Sequence, residues 1–345
     1  MDAESMIELD GSYLEGGGQI LRTAVGMSAY TQQPCRVYNI RAGRSKPGLM
    51  AQHLKSIEAV AMLTDAKTEG LQPGSKEIIF YPGKIRSRNM RLDVGTAGSL
   101  ILLLQALLIP STHIEHIIEL ELIGGTHVSW SPTYEYFKYV FCRILGKMGY
   151  HIESEIHQYG YYPKGGGKLV VSIEPPKEIK CYNPVRTKND IQICAWSCAS
   201  ENLIRAKVAE RQLKGAGELT RIGHKNSTYS YSYSTGTAIT LVADHQDGVL
   251  GADSIGRQGV PAEEVGRNAA NMLLRSVNSG STVDEFMSDQ ILPYLAMAHG
   301  ESMIIAPKIT SHAQTNIWVI EKFMNVKFTV FRKNGCVKIW CSGVQ

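Results

Sequence analysis

Apolar positions along this chain switch between two periods, and the order of the switches repeats. Ile7 to Asp10 predicts a short strand, and after Gly16-Gly17-Gly18 the residues Ile20, Leu21, Ala24, Val25 and Met27 recur at helical spacing. Cys35 to Ile40 predicts a second strand and Leu49 to Leu63 a second helix. Two strands ending near Phe80 and Tyr81 complete a unit of order β-α-β-α-β-β. The order then returns. Met90 to Val94 reads as a strand, Gly95-Thr96-Ala97-Gly98-Ser99 stands where the triple glycine stood, and Leu100 to Ile109 reads as a helix. Ile117 to Ile123 is a strand, Pro132 to Met148 a helix, and two strands flank Gly165-Gly166-Gly167, which predicts a hairpin. A third copy has helices over Val283 to Ala298 and Thr315 to Met324, with strands over Met303 to Ala306, Lys327 to Arg332 and Cys336 to Cys341.

Extra sequence separates the second and third copies. Pro175-Pro176 and Pro184 mark its entrance, Ser276 to Ser281 marks its exit, and it has helical stretches of its own over Asn202 to Lys214 and Pro261 to Arg275. The expected fold is therefore α+β and sandwich-like, with three repeated units in a large domain over 1–184 and 280–345, and a small α/β domain inserted over 185–279.

Composition narrows the class. With 345 residues, 43% hydrophobic and 20% charged, the chain reads as a soluble globular protein. Its apolar run Leu100 to Ile109 is interrupted by Gln105 and closed by Pro110, short of the roughly 20 residues that span a bilayer. With no apolar leader at the N-terminus, a cytoplasmic location is expected and no membrane partner. Seven scattered cysteines, of which Cys194/Cys198 and Cys336/Cys341 are the closest pairs, lack CxxC spacing and read as reduced buried thiols.

The net charge of +4 says less than its distribution. Between Glu15 and Glu58 there is no acidic residue, while Arg22, Arg36, Arg41, Arg44, Lys46 and Lys55 all fall there. Gly16, Gly17 and Gly18 lead into a helix N-terminus, where unpaired N–H groups suit phosphate; a tight strand-to-helix turn explains the glycines equally. Arg41-Ala-Gly-Arg44-Ser-Lys-Pro-Gly48 joins a strand to a helix, which makes it a phosphate clamp or a solvated basic loop. Gln52 and His53 begin that helix. Near the C-terminus, Ser311 and Gln314 have capping-box spacing, which puts His312 at the first helical position. There the helix dipole favours a neutral, nucleophilic imidazole and an incoming phosphate, although a histidine that only helps to cap the helix fits as well. Asp289-Gln290 lies in the preceding helix as a candidate ligand contact.

Taken in order, Leu9 to Arg22, Asn39 to His53, Val94 to Ser99, Tyr161 to Gly167, Gly259 to Gly266 and Ser311 to Asn316 resemble the RNA 3′-terminal phosphate cyclase family across nearly the whole chain. The resemblance implies three copies of a fold like the C-terminal domain of a bacterial translation initiation factor, with a smaller domain inserted. It further implies ligation chemistry in RNA processing, the ATP-dependent conversion of an RNA 3′-phosphate end to a 2′,3′-cyclic phosphodiester through histidyl-AMP and RNA-adenylate.

By motif position His312 would be the nucleophile and Glu15 would hold a divalent metal, Mg or Mn. Arg22, Arg41, Arg44, Gln52 and His53 would meet phosphate and RNA. Gly16 to Gln19, Gln105, Phe286, Asp289 and Gln290 would bind ATP with His312. The chain departs from the family at Phe286, where many members have Tyr, and at Gly256-Arg257-Gln258-Gly259, where Gly-Glu-Arg-Gly is familiar. Two rival readings remain: a catalytically silent binding factor in ribosome assembly, a class of relatives that lacks the histidine, and a small-molecule transferase on a similar repeat. Protein partners are not indicated.

Overall fold

The periodicity repeat is a repeat of sheet topology. The computed structural model describes residues 6–14, 16–185, 191–245, 248–333 and 335–344. In the first unit β1 (Ile7–Asp10) lies parallel to β2 (Cys35–Tyr38), which pairs antiparallel with β4 (Ile78–Tyr81), and β3 (Lys67–Glu69) forms the far edge. The second unit has the same order and sense with β5 (Met90–Asp93), β6 (Ile118–Gly124), β8 (Gly167–Glu174) and β7 (His151–Gln158). In the third, β13 (Ser302–Ala306), β15 (Cys336–Cys341) and β14 (Phe328–Lys333) are antiparallel.

The place of a first strand beside β13 is taken by residues 179–182. Lys180 bridges His299 in parallel, and Met303 N–H donates to the Tyr182 carbonyl at 3.2 Å. The extra sequence thus interrupts the third unit between its first strand and its first helix.

Helices α1 (Gly18–Thr31), α2 (Ala51–Leu63), α3 (Leu100–Leu108) and α10 (Ser311–Phe323) pack together, burying Ile20, Leu21, Ile57, Leu104 and Ile320 in one core. Two expected helices are interrupted. Pro132 to Met148 begins at α4 (Tyr134–Tyr136), passes through a π-helical turn at Phe137–Phe141 and ends as α5 (Cys142–Lys147). Val283 to Ala298 becomes α8 (Met287–Gln290) and α9 (Leu292–Met297). Asp284 takes the N–H groups of Phe286 and Met287 at 3.0 Å, and Pro293 has none to continue the ladder.

The insertion carries β9 (Gln192–Ser200), α6 (Val208–Gly217), β10 (His224–Ser230), β11 (Thr237–His245), β12 (Gly248–Ile255) and α7 (Ala262–Ser279). Its sheet order is β10-β9-β11-β12, and α6 and α7 cover a separate core of Ile193, Leu213, Ile239, Leu250 and Leu273. It is not a loosely tethered module. Val242 and Val249 belong to the larger core, and Trp196 stacks on Tyr139 at 4.1 Å. Asp284, which also caps α8, accepts hydrogen bonds from Gly251 N–H of the insertion and from Tyr136 Oη of the second unit. Gly165 and Gly166 lie in the β7–β8 connection, a hairpin as expected. Among the described residues no helix is long and apolar enough to cross a membrane. All seven cysteines are free, with Cys198 buried.

Candidate active-site cleft

Gly18 opens α1 against the start of α2, and a Cβ there would lie 2.4 Å from His53 Nε2. Only glycine lets the two helix starts meet. His53 is buried, and its Nδ1 accepts the Met50 N–H at 3.2 Å, which leaves the ring proton on Nε2. Burial lowers its pKa to about 3, helped by the charges of Arg22 and Arg41, so the ring is neutral throughout the physiological range.

Arg22 lies one turn further along α1. Its side chain reaches the cleft, yet Nε is sealed from solvent and has no hydrogen-bond partner among the described residues, while one terminal nitrogen donates to Gln19 Oε1 at 2.8 Å. Burial pulls its pKa down to about 10, with Asp289 opposing; the guanidinium stays charged. A charged group with an uncommitted, desolvated donor is an arrangement that an anion would complete.

Asn316 ties three helices together at this point. Its Oδ1 accepts from Gln19 Nε2 at 3.1 Å and Thr23 Oγ1 at 2.7 Å, and its Nδ2 donates to the Asp289 carbonyl at 2.8 Å. The cap of α10 differs from the sequence expectation. Thr310, not Ser311, is the N-cap; its Oγ1 accepts the Ala313 N–H at 2.9 Å and donates to Asp289 Oδ2 at 3.4 Å. His312 is therefore the second helical residue rather than the first. It remains in the first turn, where the helix offers unpaired N–H groups. The contact with Asp289 favours Thr310 over an equally suitable hydroxyl one residue later.

Across the cleft, Gln105 Nε2 on α3 donates to Gln290 Oε1 on α8 at 2.7 Å. Gln19, Arg22, Gln105, Gln290, Tyr294 and Asn316 line the same opening. Gln52 is exposed at the rim, with Gly98 of the second unit's turn packed against it. Arg41 has φ +54° and uses Nη1 on the carbonyls of Lys46, at 2.6 Å, and Gly48, at 3.1 Å. Its pKa is lowered by burial and by the nearby charge of Arg44, which is exposed on the same loop.

Gly16 has φ +55° and Gly17 is the N-cap of α1. Glu15 lies outside the described residues. Phe286 stands apart from the Gln105–Gln290 opening: it lines a separate cleft of about 160 Å³ with Met272, Arg275 and Lys308, between α7 and the third unit.

Asn316, Thr310 and Thr23 were not singled out from the sequence. A signal for the first existed, since Asn316 follows His312 by four residues and shares its helix face.

A second polar cluster lies where the insertion meets the second unit. His127 Nδ1 is 2.8 Å from Thr126 Oγ1 and Nε2 is 2.5 Å from Glu135 Oε2; Tyr159 Oη donates to Glu135 Oε1 at 3.1 Å, and Tyr161 Oη donates to Cys198 Sγ at 3.6 Å. Burial disfavours a charged ring here, but the Cys198 sulfur and the Glu135 carboxylate outweigh it and carry the His127 pKa up to about 10. Against the cost of its own burial, Glu135 is held below the usual carboxylate range by His127. His127, Glu135 and Cys198 have ligand atoms within 4.8 Å of one another, but their polar atoms are engaged with each other and with neighbouring hydroxyls.

Comparison with known proteins identifies the relatives of this arrangement. The family model described as RNA 3′-terminal phosphate cyclase matches residues 13–330. A protein of that name from Methanopyrus kandleri is 44% identical over 342 residues, covering 96% of this chain and 97% of its own length. Proteins of the same name from Methanosarcina barkeri and Pyrococcus furiosus are 40% and 42% identical; they cover 97% and 94% of this chain, and 99% and 95% of their own lengths. This chain therefore belongs to the RNA 3′-terminal phosphate cyclase family.

Proposed function

We propose that the chain converts an RNA 3′-terminal phosphate into a 2′,3′-cyclic phosphodiester at the expense of ATP, with AMP and pyrophosphate as products. The observation that carries this reading is the half-buried Arg22, whose sealed Nε has no partner among the described residues, set beside neutral His53 and joined through Gln19 and Asn316 to the helix that bears His312. A cation with a donor still open and a histidine in a helix's first turn are what a nucleotidyl transfer at phosphorus needs.

In this reading a ring nitrogen of His312 attacks the α-phosphorus of ATP. The N–P bond forms as the P–O bond to pyrophosphate breaks; pyrophosphate leaves with the electron pair and the ring proton goes to solvent. An oxygen of the RNA 3′-phosphate then displaces the histidine and carries AMP as a mixed anhydride. The vicinal 2′-hydroxyl attacks the 3′-phosphorus, AMP departs with the anhydride electron pair, and the hydroxyl proton is released. The last step is intramolecular, so its entropic cost is small. Arg22 would balance phosphate charge, His53 would donate from Nε2, and Asp289, Gln290 and Gln105 would meet the nucleoside. Arg41 would hold its loop while Arg44 faces the RNA end. Glu15 would hold Mg or Mn, whose charge balances the triphosphate; the steps themselves use only described side chains. Seven free cysteines support a reducing, cytoplasmic setting.

Incubation with α-labelled ATP tests the proposal. The expected adduct survives denaturation in alkali, is lost in mild acid as a P–N bond requires, and is chased to AMP by 3′-phosphorylated RNA. A folded protein that takes no label would instead be the binding-factor class of relative.

A further inference from the structure

Resting on the RNA reading above, we propose that Trp130, Tyr162, Tyr231 and Tyr233 form a stacking platform for the unpaired nucleotides immediately upstream of the RNA 3′ end. Their exposures are 95%, 76%, 58% and 49%, and the segments that carry them adjoin one another.

Packing contacts lead from the cleft to these rings without a break. At the rim, Gln52, next to His53, packs on Gly98 of the second unit's first turn. Thr96 and Ala97 of that turn pack on Gly165, and the Tyr233 ring lies over Gly166, where any side chain would collide with it. Tyr231 meets Tyr233 edge-on, with ring centroids 5.9 Å apart. On the other flank, Ser131 Oγ is hydrogen-bonded to Ser99 Oγ, which ends the same turn and brings Trp130 to it. Tyr162 adjoins Tyr161, whose backbone bridges that of His127, three residues before Trp130.

The platform thus joins the second unit to the insertion. Lys164, exposed on the same hairpin, donates its N–H to Ser234 Oγ at 3.1 Å and so carries its positive charge on the segment next to Tyr233. Exposed rings beside a cation suit splayed single-stranded bases, each of which offers a π-face, with phosphates held between them; paired bases have no free face to give.

The test uses Trp130→Ala, Tyr162→Ala and Tyr231→Ala singly and together; Tyr233 is kept because its ring packs on Gly166. The triple variant is expected to raise KM for a 3′-phosphorylated 12-mer by at least ~10-fold, since each lost ring removes a stacking partner for a base. KM for a 3′-phosphorylated dinucleotide and the rate of protein adenylylation should be unchanged, and Trp130→Tyr should restore most of the loss. Equal losses on both substrates, or none on either, overturn the platform. So does self-association that Trp130→Ala abolishes while the 12-mer KM stays the same. If wild-type protein neither labels nor cyclises, the functional reading fails separately. Titration of Trp130 fluorescence with the same oligonucleotide then decides the platform: quenching that is absent from Trp130→Phe supports it, and no quenching overturns it.

Discussion

His53 and His127 are both sealed from solvent, at 4% and 1% exposure, and their surroundings drive them in opposite directions. His53 sits among cations and is neutral, with a pKa lowered to about 3 by burial, then by Arg22 and Arg41. His127 faces Cys198 and Glu135, which override its burial and raise it to about 10. At the junction the polar atoms answer one another: Thr126, Glu135 and Tyr159 engage the ring and its carboxylate. In the cleft Arg22 Nε has no partner among the described residues. The lesson is that burial alone does not distinguish a structural polar cluster from a reactive one. The difference lies in whether its donors are already committed.

The sharpest break between the two regions should come from paired truncations. His312→Ala is expected to abolish labelling from α-labelled ATP and leave the unfolding free energy nearly unchanged, because it is half-buried in the first turn of α10. Glu135→Ala should do the reverse, costing about 3–5 kcal/mol by leaving His127 as an unpaired buried charge, while the folded fraction labels at the wild-type rate. Denaturant titration and labelling of the same samples check both. Labelling by His312→Ala would remove it as nucleophile.

Next in size is Arg22→Met. It should slow labelling by about 10²-fold, the scale of one preorganised charge contact at phosphorus. Stability should hold or rise, because a desolvated donor without a partner is removed. A large fall in stability would make Arg22 a structural residue like those at the junction.

Much of this architecture is legible in the sequence because period and turn chemistry are local. The first two β-α-β-α-β-β units, the hairpin at Gly165-Gly166-Gly167 and the turn of Gly16-Gly17-Gly18 into a helix follow from such signals. What was not legible depends on distant partners. Thr310 and Ser311 are adjacent hydroxyls with equal capping ability, and Asp289 decides between them. The π-turn at Phe137–Phe141 keeps the helical spacing of apolar residues, so periodicity does not mark it. Phe286 is close to Asp289 in sequence, yet the side chain of Asp284 holds it outside α8 and on another cleft. Cys198 and Glu135 meet across a fold in which nothing local links them.

A smaller effect separates the two histidines by pH. Unfolded histidine has a pKa near 6.5. Between that value and about 3 the unfolded chain binds a proton that folded His53 refuses, so its contribution is present above pH 6.5 and is lost as pH falls, with a slope of up to about 1.4 kcal/mol per pH unit. His127 behaves oppositely: the folded state holds the proton more tightly, so its contribution is complete below about 6.5 and is lost as pH rises toward 10. Unfolding titrations across pH should show the acid limb flattened by His53→Gln and the alkaline limb by His127→Gln. Exchanged limbs would refute the assignment of environments.

The smallest expected change compares one hydroxyl from each region. Tyr159→Phe and Thr310→Ala should each cost about 1 kcal/mol, one as a lost hydrogen bond to Glu135 and the other as a lost helix cap. Only Thr310→Ala should also slow labelling, because it frees the first turn that carries His312. Equal labelling by both variants would mean that this turn needs no help to keep its shape.

The interruption of the third unit has a consequence for the order of assembly during synthesis. Residues 179–182 emerge from the ribosome well before β13, with the whole insertion made in between. That early segment has no partner strand until about residue 302, and α1 has no Asn316 until later still. The first two units can close as they are made. The third closes only across a long gap, against the entropy of a large loop. The helix that carries His312 is therefore among the last pieces to dock, and a nascent chain stopped short of it has two closed units and an open third.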